Sequence, residues 1–421
     1  MRTVGLIVEY NPFHNGHAYH LRQSRAIADA DAVVAVMSGH FLQRGEPALV
    51  DKWARTEMAL AGGCDLVIEL PVAYATQAAE WFAYGAVSLL EATGVVDAFC
   101  FGTESGKLAP LMLAAELLAN EPAAFKDMLK LRLDEGSSYP GAYSDAVSAY
   151  LHRQGHLDAS GFPFDQPNHT LALHYLLALK RIHGVMEPLT IAREKSQYND
   201  EHATDASIAS ATAIRKQLLD SRSLQEAGAY VPFSTQAVLA DRWAKRQCPV
   251  SWDNFRIALF NAILTRTPSQ LADIHEITEG LEHRICNSMP QLTEATIDQL
   301  LTALKTKRYT HTKLQRALLS IMLGHSKADF TRDKLATGVQ YIRVLGFTEK
   351  GKLLLRRMRK AASLPVLLSA ARPPASYRYL ELDTTATAIY MLGVSGANSA
   401  SMYRDFRGLP IIGQSPGDSP L

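Results

Sequence analysis

The chain has 421 residues, and its 47% hydrophobic and 20% charged content is typical of globular proteins and excludes intrinsic disorder as its main state. At roughly 150 residues per domain, this length predicts two or three domains. No apolar run approaches the ~20 residues that a bilayer-spanning helix needs, and the first residues lack a signal-peptide pattern. We therefore expect a cytoplasmic protein with no membrane partner.

Predicted strands alternate with predicted helices through the first half of the chain. This alternation is typical of a parallel sheet with right-handed crossovers, so we expect a doubly wound, Rossmann-like α/β domain. Such sheets bind ligands beyond the carboxyl ends of their strands, which makes the loop after the first strand the first place to look. The predicted strands are Thr3–Val8, Ala32–Met37, Leu66–Glu69, Ala98–Phe101 and Pro188–Ile191, and the predicted helices are Ala18–Ala28, Asp51–Ala61, Ala78–Glu91 and Leu108–Leu118.

The second half is predicted to be mostly α-helical. A boundary near Asp220–Gly228 divides a domain of residues 1–220 from a C-terminal domain of residues 221–421. Residues 339–347 are predicted to form one short strand, and the Gly-, Ser- and Pro-rich tail from 413 to 421 is predicted to be frayed. The predicted helices of this half are Phe255–Leu264, Ile274–Ile285 and Thr296–Leu304.

The loop after the first strand contains the strongest chemical signal, Glu9-Tyr10-Asn11-Pro12-Phe13-His14-Asn15-Gly16-His17. Pro12 restricts the turn, Gly16 allows close backbone approach, and His17 enters a helix whose free N–H groups favour phosphate. His14 and His17 can donate hydrogen bonds to one anion. The pattern predicts a phosphate site, with a pair of ordinary surface histidines as the alternative.

Three later segments supply further candidates. Gly102, at the end of a strand, would let a nucleoside pack against the backbone, although it could also be an ordinary strand-to-loop glycine. Asn168 precedes an apolar helical run and could be a helix cap instead of a ligand. Ser210, Thr212 and Arg215 open a helix, where hydroxyls and a cation suit a triphosphate. After the second strand, Arg44, Lys52 and Arg55 are either further phosphate contacts or plain surface charge.

The net charge of +1 is unevenly distributed along the chain. Residues 303–360 contain fifteen Lys and Arg against three acidic residues, a net +12, so the rest carries −11. Aromatic or planar side chains lie among these cations, as RNA recognition often requires, and we expect this segment to bind RNA. A solvated helical face is the alternative. The aromatic or planar residues are Tyr309, His311, Tyr341 and Phe347.

The sequence predicts neither a disulfide nor a protein-held metal. Cys64, Cys100, Cys248 and Cys286 are far apart and show no zinc-ligand spacing, so we expect free thiols. No paired carboxylates stand out either.

The HxGH element of the first loop resembles that of the nucleotidyltransferase superfamily. It departs from the mononucleotide adenylyltransferases just upstream, where they usually have a glycine-rich strand end and an Asp and this chain has Glu9, Tyr10 and Asn11. Together with four later blocks, it makes the chain similar to the bacterial tRNA(Met) cytidine acetate ligase family. The similarity covers the whole first half and continues more weakly through the second. The matching stretches are Val4–His17, Met37–Pro47, Lys52–Arg55, Asp65–Pro71 and Phe101–Gly106.

This resemblance implies a nucleotidyltransferase-like fold and a two-step reaction. ATP would activate acetate as acetyl-adenylate, and the acetyl group would pass to N4 of the wobble cytidine of elongator tRNA(Met). Mg²⁺ would arrive with ATP and be held largely by phosphates; no obligate protein partner is evident. His14 and His17 would stabilise the α-phosphate in the transition state. The implied ATP-binding residues are Ile7, Val8, Glu9, Tyr10, Asn11, Pro12, Phe13, His14, Asn15, Gly16, His17, Ala18, Tyr19, His20, Gly102, Asn168, Arg193, Ser210, Thr212 and Arg215.

Two alternative functions remain open from the residues alone. An adenylyltransferase for a small phosphorylated acceptor, of the nicotinamide or pantetheine type, would share the HxGH loop but leave the basic second half unexplained. A non-catalytic RNA-binding protein could keep the nucleotide fold as a scaffold, although the intact histidines and cations count against it.

Overall fold

The computed structural model describes residues 1–193, 209–306 and 309–413. All five strands predicted in the first half are present and pair in parallel. The first four are apolar runs that are almost entirely buried, as in a sheet covered on both faces, whereas the edge strand Glu187–Ala192 is partly exposed. They are β1 (Thr3–Val8), β2 (Ala32–Ser38), β3 (Leu66–Leu70), β4 (Ala98–Thr103) and β5 (Glu187–Ala192).

Helices connect these strands, and the four predicted ones are confirmed within a few residues at their ends. The helices of this half are α1 (Asn15–Ile27), α2 (Lys52–Ala61), α3 (Val72–Ala75), α4 (Ala79–Ala92), α5 (Ala109–Leu118), α6 (Ala123–Asp134), α7 (Tyr139–Arg153), α8 (Leu157–Ser160), α9 (Pro167–Arg181) and α10 (Ala211–Asp220).

The second half is mostly helical, as predicted, with short 3-10 helices at Gly228–Tyr230, Trp252–Phe255, Met289–Gln291 and Lys327–Asp329. Its α-helices are α11 (Phe233–Ala244), α12 (Arg256–Leu264), α13 (Pro268–Ala272), α14 (Leu281–Ser288), α15 (Ile297–Leu304), α16 (His311–Leu323), α17 (Arg332–Ala336), α18 (Glu349–Ala361), α19 (Arg378–Leu392), α20 (Ser399–Met402) and α21 (Arg404–Arg407).

The predicted helix Ile274–Ile285 is wrong in its first half, because the chain turns there and the helix begins only at Leu281. Glu276, Glu279 and Gly280 all have positive φ angles, which an α-helix does not accommodate. Ile274 instead forms a β-bridge with Ser326.

The strand predicted within residues 339–347 is β6 (Ile342–Phe347), and it joins the main sheet antiparallel to β3. Two short strands, β7 (Val366–Leu367) and β8 (Ile411–Ile412), pair with β6 in parallel. The strand order is β5-β4-β1-β2-β3-β6-β7, with β8 also beside β6. The division into domains 1–220 and 221–421 stays a prediction, and the sheet contains strands from both sides of it. Residues 414–421, most of the predicted frayed tail, lie outside the described residues.

Two hydrophobic cores cover the two faces of the sheet. Alternate residues of β2 point to opposite faces, so Val34 and Val36 belong to one core and Val33 and Ala35 to the other. From β1 the chain order runs outward through β2 to β3, whereas β4 lies on the opposite side of β1. The switch point therefore lies between β1 and β4, at their carboxyl ends. All four cysteines are free, and none of the described helices has the length and apolar character to span a bilayer.

A buried charge network links the end of the described chain to the first half. Lys52 is fully buried, and its Nζ lies 2.7 Å from a Glu69 carboxylate oxygen and 2.9 Å from one of Asp405. Burial lowers the pKa of Lys52, but the carboxylates of Asp405 and Glu69 raise it, so the ammonium remains charged. Arg343 also pairs with Asp405, at 3.4 Å. Lys52 and the equally buried Arg55 are therefore not surface charges.

Replacing Asp405 with Ala is expected to lower the free energy of unfolding by about 3 to 5 kcal/mol, because Arg343 would keep a buried charge without its carboxylate partner and Lys52 would keep only Glu69. Urea unfolding followed by circular dichroism measures this change. Asp134→Ala, at an exposed helix end, is the control and should unfold like wild type. A loss below about 1 kcal/mol for Asp405→Ala would contradict the importance of this network.

Candidate active site at the switch point

A cavity of about 240 Å³ opens at the carboxyl ends of β1, β4 and β5. Its position matches the switch point, so fold topology and cavity identify the same place. Seventeen of the sequence-predicted candidates line it: Ile7, Val8, Glu9, Tyr10, Asn11, His14, Gly16, His17, Tyr19, His20, Arg44, Gly102, Asn168, Arg193, Ser210, Thr212 and Arg215.

Four of the implied ATP-binding residues do not line the cavity and instead make contacts on the side of the loop away from it. Pro12 and Phe13 are buried, and the Phe13 ring lies against Gly62 so closely that a Cβ there would be 2.4 Å from it. Asn15 donates from Nδ2 to the carbonyl of Ala229 at 3.0 Å. Ala18 packs against the core on that side of the sheet.

His14 and His17 cap the first turn of α1 with their side chains. The Gly16 N–H donates to Nδ1 of His14 at 3.0 Å, and the His14 N–H donates to Nδ1 of His17 at 3.3 Å. The two rings stack with centroids 3.7 Å apart. Because Nδ1 of each ring accepts a hydrogen bond, a neutral ring has its proton on Nε2. These two hydrogen bonds favour, in each ring, the tautomer that carries its proton on Nε2.

The histidines of this loop are held neutral. Burial, then the nearby Arg193 and Arg215 cations, lowers the pKa of His14 to about 3. The pKa of His17 is also well below its usual value, because of burial, His14 and Arg193. For His20, burial and Arg193 lower the pKa to about 4. Neutral donors and guanidinium groups thus surround a cavity that suits an anion.

The end of β1 is held in a strained conformation beside this anion site. Tyr10 has a φ of 48°, which is rare for a bulky residue, and its ring packs edge-on to His17 with centroids 4.9 Å apart. Arg55 donates to the carbonyls of Glu9 and Ser38, at 2.7 and 3.0 Å, and also to that of Gly39. Arg55 thus ties the ends of β1 and β2 together beneath the cavity.

The second predicted phosphate segment begins α10 beside the cavity. Ser210 is the N-cap, and its Oγ accepts from the Ala213 N–H at 3.0 Å. Arg215 donates to the Asn11 carbonyl at 3.1 Å and to Thr212 Oγ1 at 3.3 Å. It also lies 3.3 Å from a carboxylate oxygen of Glu46. The sequence interpretation did not include Glu46, because no local motif connects it with Arg215.

Gly102 and Asn168 lie on the opposite wall. A Cβ on Gly102 would lie 3.2 Å from Cγ of Arg193, so the glycine makes room for this side chain. Asn168 is the second residue of α9 and not its N-cap, which is Gln166. The alternative of a simple capping asparagine is therefore wrong.

Two buried donors that line the cavity lack a partner within the part of the chain that the structure describes. They are Nδ2 of Asn11 and Nε2 of His20. Buried polar atoms are usually hydrogen-bonded, so these two atoms, in residues that line the cavity, are exceptions at this site. The cavity also has further lining residues that were not predicted as nucleotide contacts: Leu42, Gln43, Phe82, Phe101, Leu171, Tyr175, Ile191, Ala192 and Ala211.

Comparisons with known proteins agree with this geometry. A family model described as HIGH Nucleotidyl Transferase matches residues 1–405. The tRNA(Met) cytidine acetate ligase of Acetivibrio thermocellus is 41% identical over 400 residues, which cover 93% of this chain and 95% of that one. The chain belongs to the tRNA(Met) cytidine acetate ligase family.

Solved structures show the same relationship to this ligase family. The apo form I of Thermotoga maritima TmcAL is 33% identical and superposes with a TM-score of 0.90, covering 98% of this chain and 100% of that one. A second structure of TmcAL, bound with alpha-thio ATP, gives a TM-score of 0.88 with the same identity and coverage. The nucleotidyltransferase-like fold is confirmed.

In this family member, the basic segment is less exposed than its composition indicates. Arg316 pairs with Glu276 at 2.7 Å, and Arg343 is buried against Asp405. Tyr341 is fully buried and Tyr309 nearly so, so neither of these two aromatic rings is exposed at the surface of the segment. Exposed cations concentrate on α18, namely Lys350, Lys352, Arg356, Arg357, Arg359 and Lys360, whereas Lys307 and Arg308 lie outside the described residues.

Across 1–193, 209–306 and 309–413, there is no group of three or more His, Cys, Asp and Glu side chains that could bind a metal ion.

Proposed function

We propose that this chain is an ATP-dependent ligase that activates acetate as acetyl-adenylate and transfers the acetyl group to N4 of the wobble cytidine of elongator tRNA(Met), giving N4-acetylcytidine. The observation that carries this proposal is the pair of neutral histidines at the switch point, in a chain whose nucleotidyltransferase-family match extends through residue 405 and whose ligase relative aligns over 93% of it. The alpha-thio ATP in the T. maritima neighbour supports ATP as the nucleotide.

In the first step, a carboxylate oxygen of acetate attacks the α-phosphorus of ATP, and pyrophosphate leaves. Charge develops on the phosphate oxygens, and preorganised donors stabilise it without further reorganisation. His14 and His17 supply N–H donors, and Arg193, Ser210, Thr212 and Arg215 border the same space. We propose that Gly102 and Asn168 hold the nucleoside on the opposite wall. Mg²⁺ accompanies the triphosphate in this proposal.

In the second step, the N4 amine attacks the acetyl carbonyl and a C–N bond forms. AMP leaves with the electron pair of the broken C–O bond, and the nitrogen loses one proton to solvent. The partners are acetate and elongator tRNA(Met), and the reaction takes place in the cytoplasm without an obligate protein partner. Exposed cations of the second half contact the tRNA backbone in this proposal.

The full-length match argues against the two alternative functions. A small-acceptor adenylyltransferase would need only the first half, yet 98% of this chain aligns with the T. maritima structure. A non-catalytic RNA-binding scaffold would have no need of neutral histidines arranged to donate into a cavity.

The decisive experiment incubates the protein with ATP, isotope-labelled acetate and tRNA(Met), then analyses the nucleosides by mass spectrometry. The expected product is labelled N4-acetylcytidine at the wobble position, formed only when ATP is present. Elongator tRNA(Met) with uridine in place of the wobble cytidine is the matched control and should remain unmodified. Release of pyrophosphate without any labelled nucleoside would contradict the proposed acceptor.

A further inference from the structure

A carboxylate outside the cavity lining, Glu104, organises the wall that carries Asn168 and Arg193. It follows β4, and its Oε1 accepts from the backbone N–H of Asn168 at 2.9 Å and from Asn168 Nδ2 at 2.7 Å. Its Oε2 accepts from the His169 N–H at 3.0 Å. One carboxylate thus binds the first turn of α9 and one side-chain amide.

The bond to Nδ2 determines which way the Asn168 amide faces. An ionised carboxylate can only accept, so Nδ2 must point towards Glu104 and Oδ1 away from it. Oδ1 then accepts from the Arg193 guanidinium, with a distance of 3.2 Å from Nη1. Glu104, Asn168 and Arg193 are thus joined by successive hydrogen bonds. If the Asn168 amide were reversed, its Nδ2 donor would face the Arg193 donor.

The loop that carries Glu104 is itself tightly held. His169 is fully buried, and its Nε2 accepts from the Ser105 N–H at 3.2 Å and lies 2.9 Å from the Ser105 hydroxyl oxygen. Thr103 Oγ1 accepts from the Gly106 N–H at 2.9 Å. The carboxylate therefore has a fixed position from which to orient Asn168.

Arg193, the last residue in this series of hydrogen bonds, faces the histidines. Its side chain lies over Gly102, next to His20, and its charge contributes to the lowered pKa of His14, His17 and His20. Its direction consequently determines where positive charge meets the nucleotide phosphates.

We infer that Glu104 is a positioning residue for ATP: it fixes the Asn168 amide, and through it aims Arg193 into the cavity. This inference rests on the proposed function, because it takes the bound nucleotide to be ATP. Glu104 acts on ATP only through Asn168, and this separates it from a residue that merely stabilises α9.

The test compares ATP affinity, measured by isothermal titration calorimetry, with the thermal midpoint of each variant. Glu104→Ala is expected to weaken ATP binding about tenfold, equivalent to about 1.4 kcal/mol, because the amide loses its fixed acceptor. Glu104→Gln retains one oxygen that can accept from Asn168, while its amide nitrogen loses the bond to the His169 N–H. It should therefore keep most of the ATP affinity but melt at a lower temperature than wild type.

A double-mutant cycle shows whether the effect passes through Asn168. Glu104→Ala combined with Asn168→Ala should bind ATP no more weakly than Asn168→Ala alone. Glu187→Gln, which removes a carboxylate paired with Arg2 at the other end of β5, is the matched control and should bind ATP like wild type.

Each outcome has one interpretation. Unchanged affinity in Glu104→Ala, an equal loss in Glu104→Gln, or additive losses in the double variant would overturn the positioning role. Wild-type protein that fails to bind ATP would instead contradict the proposed function, irrespective of Glu104.

Discussion

Replacing His17 with Ala is expected to reduce acetyl-adenylate formation by about a hundredfold, the scale of losing one preorganised donor to developing charge. The reason is structural: Nδ1 of His17 accepts from the His14 N–H, so the neutral ring presents its only proton at Nε2. The measurement is a rapid-quench assay with labelled acetate, ATP and tRNA(Met) that quantifies both adenylate and acetylated tRNA.

His17→Asn separates donation from helix capping. An Asn Oδ1 can replace Nδ1 as acceptor for the His14 N–H, but the short side chain has no donor at the position of Nε2. This variant should melt close to wild type and yet lose activity as His17→Ala does. His152→Ala, on the exposed end of α7, is the matched control and should be fully active. Near-normal turnover in His17→Asn would show that capping, and not donation to phosphate, is the role of this residue.

The parallel sheet and the first loop could be predicted because their signals are local. Each parallel strand is an apolar run ended by polar residues, and the HxGH loop follows the first strand directly. The same locality explains the outcome at Pro12, Phe13, Asn15 and Ala18, which the family resemblance placed among the ATP contacts and the structure places behind the loop. A motif identifies a segment, whereas the fold decides which of its side chains face the cavity.

The partners of the site residues could not be predicted, because they are distant in sequence. Glu104 binds Asn168 across 64 residues, Glu46 meets Arg215 across 169, and Asp405 reaches Lys52 across 353. Glu46 and Glu104 lie in stretches that match the ligase family, but neither stretch indicates which distant residue its carboxylate contacts. Pairings of this kind follow from the crossing of strands and helices in three dimensions.

Composition shows how many positive charges the basic segment carries but not how many of them are free of acidic partners. The sequence shows fifteen cations there, and only the structure shows which of them are already paired with acidic groups. Lys313 and Arg316 share Glu276, and Arg332 lies between Glu80 and Glu121. The exposed positive surface of this segment is therefore narrower than the charge count indicates, and it centres on α18.

The position of α18 separates the proposed RNA-binding surface from the cavity. Thr348, its N-cap, donates to the carbonyl of Asp65, Lys350 to that of Asp31 and Arg357 to that of Met1. These three acceptors precede β3, β2 and β1, so α18 lies at the amino edge of the sheet, opposite the cavity. With a rise of about 3.3 Å per residue, a six-residue strand separates the two edges by about 20 Å. An RNA bound here would be held by its backbone, away from the reacting base.

Replacing Arg356, Arg359 and Lys360 together with Gln is therefore expected to weaken tRNA(Met) binding on the order of a hundredfold at 0.15 M salt. These side chains are exposed, and none has an ion-pair partner among the described residues. Arg357 is left in place because it donates to the Met1 carbonyl. The salt dependence of log Kd, measured by filter binding, should flatten by about 0.7 to 0.9 for each lost phosphate contact.

The cavity lies at the other edge of the sheet, so the triple variant should bind ATP with wild-type affinity while the yield of acetylated tRNA falls. Lys126, Lys130 and Arg132 on α6, changed together to Gln, are the matched control, because they remove the same charge from another exposed helix. Equal loss of RNA binding in both triple variants would indicate a general charge effect without a defined surface. Loss of ATP affinity in the α18 variant would instead connect this helix with the nucleotide site and contradict the separation of the two edges.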